Sequence, residues 1–394
     1  MNGQRRAIAS ELAALTGLRG VAALWVVLYH VWVDAGPRAM TFAGIDFTPA
    51  FSCGWAGVDI FFTLSAFLLS LPFASSQLGA MARPALGTFW LRRVLRIFPA
   101  YYAQLAVLLA LAAVGVGTMP SLASLAGNLV LWFNVGSIAA APINPVTYTL
   151  PIEFTFYLVL PLFAWLLRPR AWVLLLVFAV VETQAYRHVM YAWVAHADVP
   201  QRVLALEQLP GRLDQFVFGM LAAYAYTRGA IAGTLPRARV ADALFVFGAA
   251  LVVAMVVAIH LRSVTYWDGD PLLFVWHGVV GAAVALMLFA AAAGSPIAHA
   301  LFAGPVLRRA GVISFGLYLW HFPLIGWLDA AHAFDRIDGY RLPWSLPLIL
   351  ALAWLLAEAS YRLVERPALR LGRGRGRDPG VQTELVVAEP AVRR

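Results

Sequence analysis

The chain has 394 residues, of which 62% are hydrophobic and 12% charged, and its formal net charge is +9. A soluble domain carries about a quarter charged residues, so the bulk of this chain belongs in lipid. The one cysteine, Cys53, excludes an internal disulfide framework and a cysteine-based metal cluster, and no metal is expected.

Ten apolar runs reach the roughly 20 residues a spanning helix needs: 15–34, 55–74, 98–117, 147–167, 171–190, 212–229, 240–261, 271–293, 312–330 and 344–363. They are continuous rather than alternating, which points to helices and not barrel strands. The first run carries Arg19 inside it and His30 near its end, so it is not read as a cleavable leader. Residues 84–97 (PALGTFWLRRVLRI) place arginines between apolar residues at helical spacing, the pattern of a helix lying on the inner membrane surface. The long, rather apolar loop 118–146 is expected to hold a re-entrant or interfacial helix. Residues 371–394 read as a disordered basic tail on the anionic inner leaflet, leaving 1–370 as one transmembrane domain.

Every basic residue is arginine. With the N-terminus cytoplasmic, 22 of the 29 arginines fall inside or at inner helix ends, and seven fall outside: Arg38, Arg187, Arg202, Arg212, Arg262, Arg336 and Arg341. That bias sets the orientation and assigns the positive charge to a membrane surface rather than to nucleic acid. The expected fold is an all-α integral membrane bundle of about ten transmembrane helices with both termini cytoplasmic.

Ionisable side chains inside such runs are costly, at ~2.5–3.5 kcal/mol each on insertion scales, and are functional candidates for that reason. Arg19 and His30 are 11 residues apart, about 20° past three full turns, so they share a helix face roughly 16 Å apart along the axis. Asp59 lies near the outer end of the second run. Glu153 lies about two turns into the fourth, with Tyr157 one turn further on the same face. His321 falls near the middle of the ninth. Each alone has a plain structural reading: an anchor, a cap, an ion pair (Glu153 with an arginine such as Arg212), a histidine bonded to a backbone carbonyl. Counting depth from alternating helix directions, His30, Asp59 and Glu153 land in the outer third, with His321 a little deeper. A histidine with an orienting carboxylate is a general base for a hydroxyl nucleophile. On the cytoplasmic side Arg92, Arg93 and Arg96 form forks suited to phosphate groups, with Arg19 above them.

Six stretches in order resemble one family. They are Arg19 followed by ten residues and His30; GWAGVDIFFTLSAF at 54–67; RRVLRIFPAYY at 92–102; YTLPIEFTFYLVLP at 148–161; SFGLYLWHFP at 314–323; and Glu365 to Pro367. Together they resemble the membrane-bound acyltransferase family 3, over about residues 14–370. Members O-acylate polysaccharides, lipopolysaccharide, peptidoglycan or macrolides. The resemblance implies an acyl-CoA donor from the cytoplasm, acetyl-CoA by family habit, and an acceptor hydroxyl on the outer side. It also implies that Arg19 and His30 are essential. Some members carry a soluble hydrolase-like C-terminal domain, which this chain is expected to lack. Three departures are visible: Ala66 for the usual glycine, Tyr148-Thr149 for Trp-Ser, and Pro151 two residues before Glu153.

The expected reaction is acyl transfer from acyl-CoA, with its phosphates on Arg19, Arg92, Arg93 and Arg96. His30 acts either as base or as a covalent acyl carrier, with Glu153 or Asp59 orienting it and His321 close by. The acceptor is a hydroxyl of a carbohydrate, glycolipid or secondary metabolite. The alanine-rich, all-arginine composition suggests a high-GC bacterium and its cytoplasmic membrane. The rival is a proton-coupled transporter, in which broken helices pair between inverted halves. No such pairing is found, and the charged residues gather asymmetrically in runs one, two, four and nine.

Overall fold

The structure is a computed structural model that describes residues 2–131, 142–337 and 339–372, with side chains from residue 13 onward. Each of the ten apolar runs is a helix: α1 Asn2–Asp34, α2 Gly57–Gln77, α3 Leu86–Ala113, α4 Thr149–Ala164, α5 Ala171–Val194, α6 Leu213–Ala232, α7 Ala238–Leu261, α8 Pro271–Ala292, α9 Ser314–Ala330 and α10 Leu342–Ser360. Two-residue strands, Thr41–Phe42 and Ile45–Asp46, form the one hairpin among the described residues. The chain is therefore an all-α, multi-pass membrane bundle. Among the described residues, eight helices are long and apolar enough to cross a membrane, and nine if Pro305–Val312 and α9, bent by 75° at their junction, count as one span. The remaining helix, α6, carries Asp214, Gln215 and Arg228 within 20 residues. It tolerates them because it packs between α2, α5 and α8 rather than against lipid.

Burial separates core from periphery. In the span that contains α2, 72% of residues are buried, against 22% for α5 and α7. Leu174, Val177, Phe178 and Val181 on α5 are exposed, an apolar face suited to contact with lipid. At the centre Phe216 stacks between Phe62 and Phe156, with ring centroids 4.8 and 4.2 Å apart.

Small residues let α1 approach its neighbours at backbone distance. A Cβ on Gly17 would sit 1.7 Å from the Phe302 carbonyl oxygen, and one on Gly311 1.9 Å from that of Thr16. The same device accommodates Ala66. Its methyl lies where a Cβ on Gly219 would come within 2.9 Å, so a glycine on the partner helix makes the room.

One expectation changes, one is met, and one lies outside the described residues. The stretch 84–97 is not a separate surface helix but the first half of α3, which runs unbroken for 28 residues through Pro99. The loop before α4 contributes a short helix, Leu122–Leu129, and its end enters the bundle. Asn144 is buried and donates to the Leu319 carbonyl at 2.9 Å, and Tyr318 donates to that of Val146. Residues 132–141, and the expected tail from 373 on, lie outside the described residues. Because 142–148 descends first, α4 begins inside the bundle. Pro151 in its first turn needs no hydrogen-bonded N–H.

Candidate active site

The contact between α1 and the bent segment 305–330 brings His30 and His321 together. His30 Nδ1 lies 2.9 Å from the Val26 carbonyl, and His321 Nδ1 lies 3.0 Å from that of Leu317. A carbonyl only accepts, so each Nδ1 carries the proton and each Nε2 keeps its lone pair. His321 Nε2 then shares the His30 Nδ1–H across 3.2 Å. One edge of the His30 ring is thus held by two acceptors. Its Nε2 forms no hydrogen bond with any described residue.

His30 opens on a cavity of about 400 Å³, whose walls include Tyr148, Glu207, Arg212, His277 and Tyr318. A smaller void of about 50 Å³ is lined by Arg19, Glu153, Thr149 and Phe315, and shares Val58 and Tyr318 with the first. The two cavities therefore meet at one wall. The Tyr318 hydroxyl in that wall is 2.8 Å from Thr149 Oγ1, so the Tyr148-Thr149 departure supplies one residue to each cavity.

Arg19 is within electrostatic reach of Arg96, Glu153, Tyr157 and Glu365. Arg96 pairs with buried Glu365 at 3.1 Å, and the Arg93 guanidinium stands 5.7 Å from the Tyr157 ring centroid. Glu153 accepts from Ser65 Oγ at 2.9 Å and from the Tyr157 hydroxyl. The Arg92 side chain packs towards Gly372 and leaves a buried Nη2 without a hydrogen bond.

Neither expected carboxylate orients His30. Glu153 sits at the level of Arg19, because the descending 142–148 segment lowers the start of α4. Asp59 is fully buried behind the cavity wall, held by Arg212 Nη1 at 2.6 Å, Gln215 Nε2 at 2.6 Å and His277 Nδ1 at 2.8 Å. Arg212 also pairs with Glu207, so it is Asp59, not Glu153, that takes the α6-end arginine. His321 holds the place expected of a carboxylate.

Sequence reasoning passed over Glu207, His277 and Tyr318. It also counted Arg187 and Arg212 as outer-surface arginines. Both are buried, at 1% and 2% exposure, and Arg187 donates to the carbonyls of Leu273 and Gly211 at 2.9 and 3.0 Å. A signal was present: His277 lies inside the eighth apolar run, and the rule that selected His321 selects it too. Burial opposes ionisation of Glu207, which lies in a loop outside the spans, yet Arg212 and His277 beside it hold its carboxyl well below the usual range.

A helical bundle with a histidine-lined cavity inside it defines a polytopic membrane enzyme. The acyltransferase domain family matches residues 12–358, and the chain belongs to that family, acyltransferase family 3. The chain is similar to the peptidoglycan O-acetyltransferase OatA of Listeria monocytogenes, at 24% identity over 91% of this chain and 56% of the relative. It is also similar to the O-acetyltransferase OatA of Staphylococcus aureus, at 23% over 92% and 58%. A third relative is the putative peptidoglycan O-acetyltransferase YrhL of Bacillus subtilis, at 22% over 90% and 54%. The chain spans a little over half the length of these curated relatives. No solved structure matches it.

Proposed function

We propose that the chain moves an acetyl group from acetyl-CoA, entering from the cytoplasm, to a carbohydrate hydroxyl on the outer side of a bacterial cytoplasmic membrane. The observation that carries this reading is the pair of abutting cavities on one helix, one with Arg19 and the other with His30. About 16 Å of α1 separates the two residues at 1.5 Å per residue, a span of the order of an extended pantetheine arm. Arg19, Arg93 and Arg96 bind the donor phosphates, with Arg92 at the cytoplasmic margin of the group. Names of the relatives, all bacterial O-acetyltransferases, support the acetyl group and the carbohydrate acceptor.

The chemistry follows from the tautomer. The acceptor O–H gives its proton to His30 Nε2 as its oxygen bonds the thioester carbonyl carbon. The C–S bond breaks, and the departing CoA thiolate takes the proton back from Nε2. Nδ1–H stays on Val26 and His321 throughout, so the ring does not turn between the two transfers. Walls of buried side chains keep water from the thioester.

The test is CoA release by purified protein with acetyl-CoA and lysozyme-solubilised peptidoglycan fragments. Wild type releases CoA and acetylates the fragments, Arg19→Ala loses donor binding, and His30→Ala binds donor without releasing CoA. Absence of both binding and release in the wild type would sink the reading. An acetyl group trapped on His30 by rapid quench, and lost to hydroxylamine, would replace the base role by a covalent one.

A further inference from the structure

Acyl transfer at His30 leaves one developing charge without a partner. As the acceptor oxygen bonds the thioester carbon, the C=O electrons move onto the carbonyl oxygen. A donor aimed at that oxygen is usually the largest single contribution to such a reaction. It has to lie beside His30, open on the same cavity, and carry a proton that the protein itself does not use.

Three rings flank His30: Tyr29, His321 and Phe322, with centroids 4.9, 5.0 and 5.3 Å away. The Phe322 ring has no donor. His321 gives its Nδ1–H to the Leu317 carbonyl and turns its Nε2 lone pair to His30. That leaves Tyr29, which lines the large cavity. Its hydroxyl makes no hydrogen bond with a described residue, and it is not among the buried polar atoms sealed within the protein.

Other polar groups of the wall are already committed. A phenol has one proton to give, and that of Tyr318 goes to the Val146 carbonyl. The Tyr266 hydroxyl stands 3.4 Å from His277 Nε2. Arg212 holds Asp59 and Glu207, and Trp55 packs against Trp276 rather than His30, with centroids 4.7 Å apart.

The backbone of the second span fixes where Tyr29 stands. A Cβ on Gly54 would fall 2.6 Å from Tyr29 Cβ and 2.4 Å from the Trp25 carbonyl oxygen, so α1 lies directly on the chain at residue 54. Trp25 Nε1 also donates to the Ala50 carbonyl at 2.6 Å. With its Cβ held in this way, the phenol is positioned before substrate arrives, which is what makes such a donor effective.

We infer that Tyr29 is a catalytic residue, whose O–H donates to the thioester carbonyl oxygen and stabilises the negative charge that forms there. This rests on the O-acetyltransferase reading and adds a residue to its site. The acceptor O–H passes its proton to His30 Nε2, the new C–O bond forms, and the carbonyl electron pair moves onto the oxygen facing Tyr29. The C=O bond re-forms as the C–S bond breaks, and the departing thiolate takes the proton from Nε2. Tyr29 keeps its own proton throughout.

Tyr29→Phe keeps the ring and removes the hydroxyl. Wild type and variant are purified in detergent and compared in three measurements: acetyl transfer to peptidoglycan fragments, acetyl-CoA binding by equilibrium dialysis, and the NMR shift of a bound ketone analogue of acetyl-CoA. The analogue has a methylene in place of the sulfur and an isotopically labelled carbonyl carbon. Expected is a kcat lower by ~10²–10³-fold, the usual worth of one oxyanion donor, with acetyl-CoA binding little changed. The labelled carbonyl moves downfield on binding wild type, and this movement is lost in Tyr29→Phe. A tyrosine with only a packing role would not polarise the carbonyl.

Tyr29→3-fluorotyrosine, a nearly isosteric and stronger donor, is expected to enlarge the shift, and it keeps the test open should Tyr29→Phe fail to fold. Turnover of folded Tyr29→Phe within a few-fold of wild type, or a carbonyl shift that neither variant alters, overturns the inference and leaves the O-acetyltransferase reading standing. A wild type that neither binds acetyl-CoA nor releases CoA removes that reading, and the inference with it.

Discussion

Replacing Asp59 separates a structural carboxylate from a catalytic one. Asp59 is fully buried and holds Arg212, Gln215 and His277 at 2.6, 2.6 and 2.8 Å. Asp59→Asn keeps the shape but removes the charge, so Arg212 remains paired with Glu207 alone. Removing one partner of a buried ion pair costs ~3–5 kcal/mol. The asparagine oxygen still accepts hydrogen bonds, which places the expected cost near the lower end. At 1.36 kcal/mol per factor of ten, ~3 kcal/mol lowers the folded-to-unfolded ratio by about two orders of magnitude. The assay is the fraction that stays monodisperse on size exclusion after graded heating in detergent, together with the activity of that fraction. Stability is expected to fall while activity per folded molecule stays within about an order of magnitude, since Asp59 touches neither cavity. Unchanged stability with activity lost by ~10²-fold or more would refute this reasoning and return Asp59 to the chemistry.

Other changes report on the same framework. His30→Gln is expected to lower transfer by ~10²–10⁴-fold, the usual worth of a general base, with acetyl-CoA binding retained in equilibrium dialysis. His321→Ala removes one of two acceptors for the His30 Nδ1–H and leaves Val26, so the loss in turnover is expected to be smaller, ~10-fold or more, and His321→Gln is expected to recover part of it. Gly17→Ala drives a methyl to within 1.7 Å of the Phe302 carbonyl oxygen. The helices must part, at ~1–3 kcal/mol or more, and a sharp drop in monodisperse yield is the readout. Arg341 forks between Asp34 at 3.0 Å and Asp329 at 3.1 Å, joining the ends of α1 and α9 beyond the two histidines. Its replacement by alanine is expected to cost ~1 kcal/mol or less in stability, because the fork is partly exposed, and to slow turnover several-fold in a steady-state assay.

Much of this was legible because lipid makes the rules strict. A continuous apolar run of sufficient length has few alternatives to a helix, so all ten helices appear where composition put them. Charge inside such runs is rare enough that Arg19, His30 and His321 stood out, and they do line or border the paired cavities. What escaped depends on how segments enter the bundle. Counting turns from an assumed membrane surface put Glu153 beside His30, but residues 142–148 descend first and carry it to the level of Arg19. Arg187 and Arg212 sit near helix ends and read as surface anchors. Only the fold shows carboxylates and carbonyls arriving from α2, α8 and the 207 loop to bury them. The partner of His30 was equally out of reach, because a backbone carbonyl and a second imidazole serve where a carboxylate was expected.

The central claim is that donor and acceptor meet from opposite faces of the membrane at His30. Reconstitution into sealed vesicles tests it, with acetyl-CoA trapped in the lumen and lysozyme-solubilised peptidoglycan fragments outside. Acetylated fragments are predicted outside, none when donor and acceptor are both supplied on the same side only, and none with His30→Gln. Efficient transfer with both on the outside of sealed vesicles, and none across them, would contradict the account.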